Sequence, residues 1–240
     1  MLLVKKMLPF YAAALLLAFV CAVLASESVT VLTGAWNLSE QPAVRTVVVD
    51  PGHGGEDGGA VSASGVLESG LNLEISLKLR DLLRFLGIPV VMTREEDISI
   101  HNPESETASE KKVSDLRNRV RLVNDTPNAV LVSIHQNMFP EAQYFGAQVF
   151  YAGTGGSQAL AEQLQGLFDT ELDPTNHRQA KASLTVYLMK NIHCPGVLVE
   201  CGFLSNPEEA QRLQTPDYQK KLAAVIAAGL QDVLELSSVS

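Results

Sequence analysis

Two histidines and two glutamates stand where their chemistry could be pooled. His53 lies in VVVDPGHGGEDGGA, Glu68 in GVLESGLN, His135 in LVSIHQN and Glu200 in GVLVECGFLSN. His and carboxylate donors with a vacant position are what catalytic zinc prefers, whereas a structural site closes all four positions. A further carboxylate beside such a site can act as general base on a water whose pKa the metal lowers towards about 7. Taken alone, the loop around His53, with five glycines between Gly52 and Gly59, reads as a flexible turn whose glycines supply positive φ. It is not a phosphate loop, because no Lys-Ser or Lys-Thr pair closes it, and Asp57 stands where a dinucleotide fingerprint needs its third glycine. Cys201 with His135 and Glu200 is a rival nucleophilic arrangement, but it leaves His53 and Glu68 without a role. His101 and His177 lie in polar stretches and read as solvated. His193 with Cys194 and Cys201 lacks the spacing of a zinc knuckle, and a Cys194–Cys201 disulfide stays open in an oxidising compartment.

The elements that must carry these residues alternate. TVVVD is a short β-branched run suited to a buried strand, IPVVM a second, AVLVSI a third and AQVFY a fourth. LTVYLM and GVLVE read as the fifth and sixth strands. Between them, Leu71, Ile75, Leu79, Leu82, Leu83 and Leu86 share a helical face that stops at Gly87. The spacing of Val113, Leu116, Val120 and Val123 predicts a second helix. Ser157 is placed to cap a third, which carries Leu160, Leu164, Leu167 and Phe168. Asn206-Pro207-Glu208-Glu209 is a helix start, and a last helix from Pro216 carries Leu222, Val225, Ile226, Leu230 and Val233. Glu95 to Lys112 reads as an exposed polar insertion. The pattern predicts one α/β domain with a mostly parallel, roughly six-stranded sheet and helices on both faces. In such sheets the site lies beyond the carboxyl ends of the strands, where His53, His135 and Glu200 fall, with Glu68 at the entry to the first helix.

The chain has 240 residues and is 46% hydrophobic, enough for one well-filled core. A formal charge of -9 argues against a nucleic-acid partner, and three cysteines are too few for a disulfide framework. Residues 1–25 differ from the rest: Lys5 and Lys6 precede an uncharged apolar run from Met7 to Ala25 that ends in Val23-Leu24-Ala25. This reads as a secretory signal peptide or a membrane anchor, and either places the working domain outside the cytoplasm. Residues 26–45 read as a spacer, 46–236 as the catalytic domain and 237–240 as a tail.

The stretches VVVDPGHGGEDGGA, LESGLNL, MTRE, DLRNRVRLVN, SIHQN and GVLVECGFLSNPEEA occur in this order. Together they resemble the zinc-dependent N-acetylmuramoyl-L-alanine amidases over nearly all of Thr46 to Leu236. Size and the N-terminal hydrophobic segment are most like the CwlD group, the germination-specific amidases of spore formers. The resemblance implies one Zn2+ held by His53, Glu68 and His135, with Glu200 as catalytic acid/base. It implies peptidoglycan as substrate, cleaved between N-acetylmuramic acid and L-alanine, and a role in spore cortex maturation at the spore envelope. Asp50 and Asn137, next to ligand-bearing segments, are candidates to hydrogen-bond the free imidazole nitrogens. Gln136 departs from the small or apolar residue usual there, and Cys201 occupies a variable position. A non-catalytic peptidoglycan-binding module and a zinc peptidase cutting within the stem peptide are the competing readings. The need for an activator protein stays open.

Overall fold

In a computed structural model of the protein, residues 45–235 are described; the N-terminal hydrophobic segment, most of the spacer and the tail lie outside them. Six strands form one sheet: β1 (Thr46–Pro51), β2 (Val90–Met92), β3 (Ala129–Asn137), β4 (Gln148–Tyr151), β5 (Lys181–Ala182) and β6 (Gly196–Phe203). Their order is β2-β1-β3-β6-β4-β5. All neighbours run parallel except β4 against β6, so the expectation of a mostly parallel sheet holds. The helices are α1 (Glu68–Phe85), α2 (Ala108–Asp125), α3 (Ser157–Leu167), α4 (Tyr187–Asn191), α5 (Pro207–Leu213) and α6 (Pro216–Glu235). A π-helical turn, Phe168–Leu172, follows α3. Among the described residues no helix is long and apolar enough to cross a membrane.

Strand alternation sends side chains to two cores. Val47, Val49, Val132, Ile134, Val197 and Val199 pack with α1, α3 and α6 through Leu71, Ile75, Leu164, Leu222 and Ile226. On the opposite face Val48, Leu131 and Leu198 pack with Val123 of α2 and with Leu188, Met189 and Ile192 around α4. Helices on both faces are what strands buried on both sides require. His135 and Glu200 are register partners that share the face of Leu131 and Leu198, so they point towards α2 and α4.

Several expectations are corrected. LTVYLM is not a strand. Leu184 and Tyr187 are exposed while Leu188, Met189 and Ile192 are buried, a helical spacing, and the fifth strand is the short Lys181–Ala182. Ser157 is the first residue of α3 rather than its cap; Gly156, at φ 82, is the cap residue, and the Ser157 hydroxyl accepts from Gly196 N at 3.0 Å. The polar insertion is exposed, but from Ala108 it is already helix, capped reciprocally by Thr107 and Glu110. Cys194 and Cys201 are free thiols, not a disulfide.

Candidate metal centre

Three chain segments deliver the donors. β1 runs out at Pro51 into the glycine loop, where His53 adopts φ 61, a left-handed conformation rare outside glycine. Glu68 is the first residue of α1, where a carboxylate is favoured by the helix dipole. His135 lies inside β3, which continues to Asn137 rather than stopping at Ile134. The donors converge: Glu68 Oε1 lies 2.9 Å from His135 Nδ1, and Glu68 Oε2 lies 3.3 Å from His53 Nε2. One ligand atom from each residue falls within 4.8 Å of the others.

The loop glycines make this approach possible. Gly59 has φ +69, and a Cβ there would lie 2.5 Å from Glu68 Oε2 and 2.8 Å from the His53 ring. A Cβ on Gly52 would run into the His135 ring. Close packing of the donors therefore dictates both glycines, and the positive φ adds a conformational demand at Gly59.

Glu68 is held by more than the histidines. Its Oε2 accepts from Ala60 N at 2.8 Å, and its Oε1 accepts from Gln136 N at 3.1 Å and Asn72 Nδ2 at 3.2 Å. The Gln136 amide donates in turn to Asn72 Oδ1, which gives the unusual glutamine a place in the support of Glu68. Burial opposes charge on Glu68, but His135 and His53 outweigh it and hold the carboxyl far below the usual range. Burial likewise lowers the His53 pKa, yet Glu68 and Asp57 raise it overall. Such a set of mutually dependent charges is one that a bound cation would satisfy.

Glu200 sits in the middle of β6, beside His135, and not at its end as the sequence suggests. Its Oε2 is buried without a hydrogen-bond partner. Burial, with Glu68 adding repulsion, outweighs the attraction of His135 and raises its pKa from 4.5 to about 7. On the α2/α4 side a cleft of about 410 Å³ opens over His53 and His135, walled by Asp57, Lys111, Lys112 and Tyr187.

Asp50 does not face an imidazole. Its Oδ1 accepts from Thr93 Oγ1 (2.7 Å) and Arg119 Nη1 (2.6 Å), and its Oδ2 from Ser133 Oγ (2.6 Å). The carboxylate nearest His53 Nδ1 is Asp57, at 3.1 Å but off the direction of a hydrogen bond. Asn137 contributes its backbone, accepting from Leu204 N at 2.8 Å. Cys201 is fully buried on the opposite face of β6, and burial beside Glu200 pushes its thiol well up, which removes it as a nucleophile. The residues that sequence reasoning passed over are Asn72, Arg94 and Arg119. The i, i+4 pair Glu68 and Asn72 was a readable signal; MTRE and DLRNRVRLVN carried the arginines without revealing where they reach.

Comparison with known proteins bears on this geometry. Residues 47–232 match the family model described as N-acetylmuramoyl-L-alanine amidase. The chain is 41% identical over 187 residues to the germination-specific N-acetylmuramoyl-L-alanine amidase of Bacillus subtilis, covering 78% of each chain. It superposes with a TM-score of 0.77 and 38% identity on the CwlD amidase from Clostridioides difficile, solved in complex with the GerS lipoprotein. That match covers 80% of this chain and 99% of the other. An N-acetylmuramoyl-L-alanine amidase from Clostridium difficile 630 is similar at a TM-score of 0.70 and 31% identity, over 82% of this chain and 99% of its own. The match of sequence, fold and converged side chains places this chain in the N-acetylmuramoyl-L-alanine amidase family, among its CwlD-like members.

Proposed function

We propose that the protein hydrolyses the amide joining the lactyl group of N-acetylmuramic acid to the L-alanine of a peptidoglycan stem peptide, using one zinc ion held by His53, Glu68 and His135. The observation that carries this reading is Glu200, a buried carboxyl with an unpartnered oxygen, in register with His135 and close enough to all three donors to feel their charge. Two imidazoles and a carboxylate within reach of one another, with space on the cleft side, fit zinc with an open position. When bound, zinc polarises the scissile carbonyl and makes water a nucleophile near neutral pH.

The chain's own groups do the rest. Glu200, poised near neutrality, takes a proton from the attacking water and returns it to the departing alanine nitrogen. Asp57 lies 3.1 Å from the His53 nitrogen turned away from Glu68, which leaves Nε2 as the nitrogen that faces the other donors. Glu68, gripped by Ala60, Gln136 and Asn72, keeps its donors aimed without reorganising. The apolar residues 7–25 serve as export signal or anchor and place the domain on the outer side of the membrane. Likeness to the germination-specific amidase supports action in spore cortex, and the GerS complex of the CwlD relative supports an accessory lipoprotein as a partner.

The test is to incubate the full-length chain, purified in mild detergent and loaded with zinc, with peptidoglycan and to identify the released peptides by mass spectrometry. Stem peptides with a free L-alanine amine are expected. Glu200→Gln should retain zinc and lose activity by about 10²–10⁴-fold, the usual worth of a general acid/base. Zinc lost with activity would make Glu200 a ligand instead. Cleavage inside the stem would reassign the enzyme as a peptidase, and retention of peptidoglycan with no turnover and no zinc would leave a binding module.

A further inference from the structure

His53 is the only non-glycine residue of the candidate site with positive φ, and two buried guanidiniums, Arg119 and Arg94, lie against its loop. Arg119, on α2, uses every N–H it has. Nε donates to Asp115 Oδ2 (2.6 Å), Nη1 to Asp50 Oδ1 (2.6 Å) and Pro51 O (2.8 Å), and Nη2 to His53 O (2.7 Å) and Asp115 Oδ1 (3.5 Å). Arg94 donates from Nε to Pro51 O (3.0 Å), from Nη1 to Glu96 O (2.9 Å), and from Nη2 to Gly52 O (3.0 Å) and Ser69 O (2.9 Å). One arginine therefore holds the carbonyl of His53 itself. The other spans from the residue before His53 to the residue after Glu68.

A buried cation normally has a close acid, and Arg119 has two. Arg94 has only the half-exposed Asp97 at 3.9 Å, so its charge rests mainly on backbone carbonyls. Burial, reinforced by repulsion from Arg119, pulls its pKa down to about 10. Placing two like charges together under one loop has a cost that general folding does not require.

Resting on the zinc reading above, we propose that Arg119 is the positioning residue that locks His53 into its metal-binding conformation, with Arg94 fixing the spacing between His53 and Glu68. A lysine at either position keeps the charge but cannot satisfy a fork of fixed geometry.

The experiment measures zinc affinity by competition with a chromophoric chelator, and the visible spectrum of the Co2+-loaded protein, on the full-length chain in detergent. Variants are Arg119→Lys and Arg94→Lys, with Val123→Ala, a core truncation on the same helix, as control. Arg119→Lys is expected to weaken zinc binding about 10- to 100-fold, as loss of a ligand-orienting group does, and to shift the cobalt bands. Val123→Ala should lower the melting temperature yet keep wild-type affinity and spectrum. Asp115→Asn, which removes the charge and one of the two acceptors at an edge of Arg119, should weaken zinc binding to an intermediate degree if Arg119→Lys does not fold. Arg119→Lys or Asp115→Asn with unchanged affinity and spectrum overturns the proposal, as does equal zinc loss in Val123→Ala at equal loss of stability. A wild-type chain that binds no zinc overturns this proposal and the zinc reading together; a zinc-binding wild type with an unaffected Arg119→Lys overturns only this one.

Discussion

Glu200 shows how burial, aided by a neighbouring carboxylate, shifts an ordinary carboxyl towards neutrality. With its pKa raised to about 7, chiefly by burial, it is protonated in mildly acidic solution and ionised above neutrality. The base form is the active one, so kcat should fall as pH drops, along an acid limb that Glu200→Gln abolishes. A pH–rate profile with saturating zinc checks this; the bound dication draws the limb to lower pH than in the zinc-free protein, and an acid limb that survives unchanged in Glu200→Gln would exclude Glu200 as its source. Stability has the opposite sign. A carboxyl whose folded pKa lies above its unfolded one stabilises the fold below about pH 4.5 and loses that contribution as pH rises through about 7. In zinc-free protein Glu200→Gln should therefore raise stability at pH 8, by at most about 3 kcal/mol, and have little effect at pH 4.5. The convergence of His53, Glu68 and His135 was legible because histidines and acids are unusual next to β-branched runs. Asp50 was misjudged because sequence proximity to His53 says nothing of Arg119, which arrives from a distant helix and captures the carboxylate.

At the scale of elements, α2 is both a structural helix and the carrier of Arg119 and Asp115. Its start is secured by the reciprocal Thr107–Glu110 box, in which Thr107 Oγ1 accepts from Glu110 N at 3.2 Å and Glu110 Oε2 accepts from Thr107 N at 3.0 Å. Thr107→Ala should cost about 1 kcal/mol, read as a lower melting temperature, while zinc affinity stays as in wild type because Arg119 lies deep in the helix. The strands were readable from β-branched runs, since a strand buried on both faces has no polar face to confuse the pattern. Residues 184–189 failed for the same reason. LTVYLM has the composition of a strand, but Leu184 is 78% exposed, and spacing rather than composition marks α4. The T-x-x-E box was hidden in a polar stretch whose exposure drew more notice than its capping residues.

For the whole molecule, metal binding and folding share one free energy. Zinc held only by the folded chain adds about 2.7 kcal/mol when its free concentration is a hundred times the dissociation constant. Chelation should lower the melting temperature by several degrees, and the shift should be nearly absent in His135→Ala, as scanning calorimetry with and without chelator would show. The fold class was legible because helix and strand signals alternate; the antiparallel β4 was not, because direction depends on where the chain returns. The strand order, with β6 lodged between β3 and β4, has a consequence in time. Synthesis runs from the N-terminus, so His53, Glu68 and His135 all emerge before the acid does. The central gap in the sheet stays open until β6 closes it. A chain arrested short of that strand carries every donor and no Glu200, so on the proposed mechanism hydrolysis waits on the long-range pairings of β6 with β3 and β4, the slow kind of step in folding. With Glu200 as the base, an unfinished chain is thereby inert.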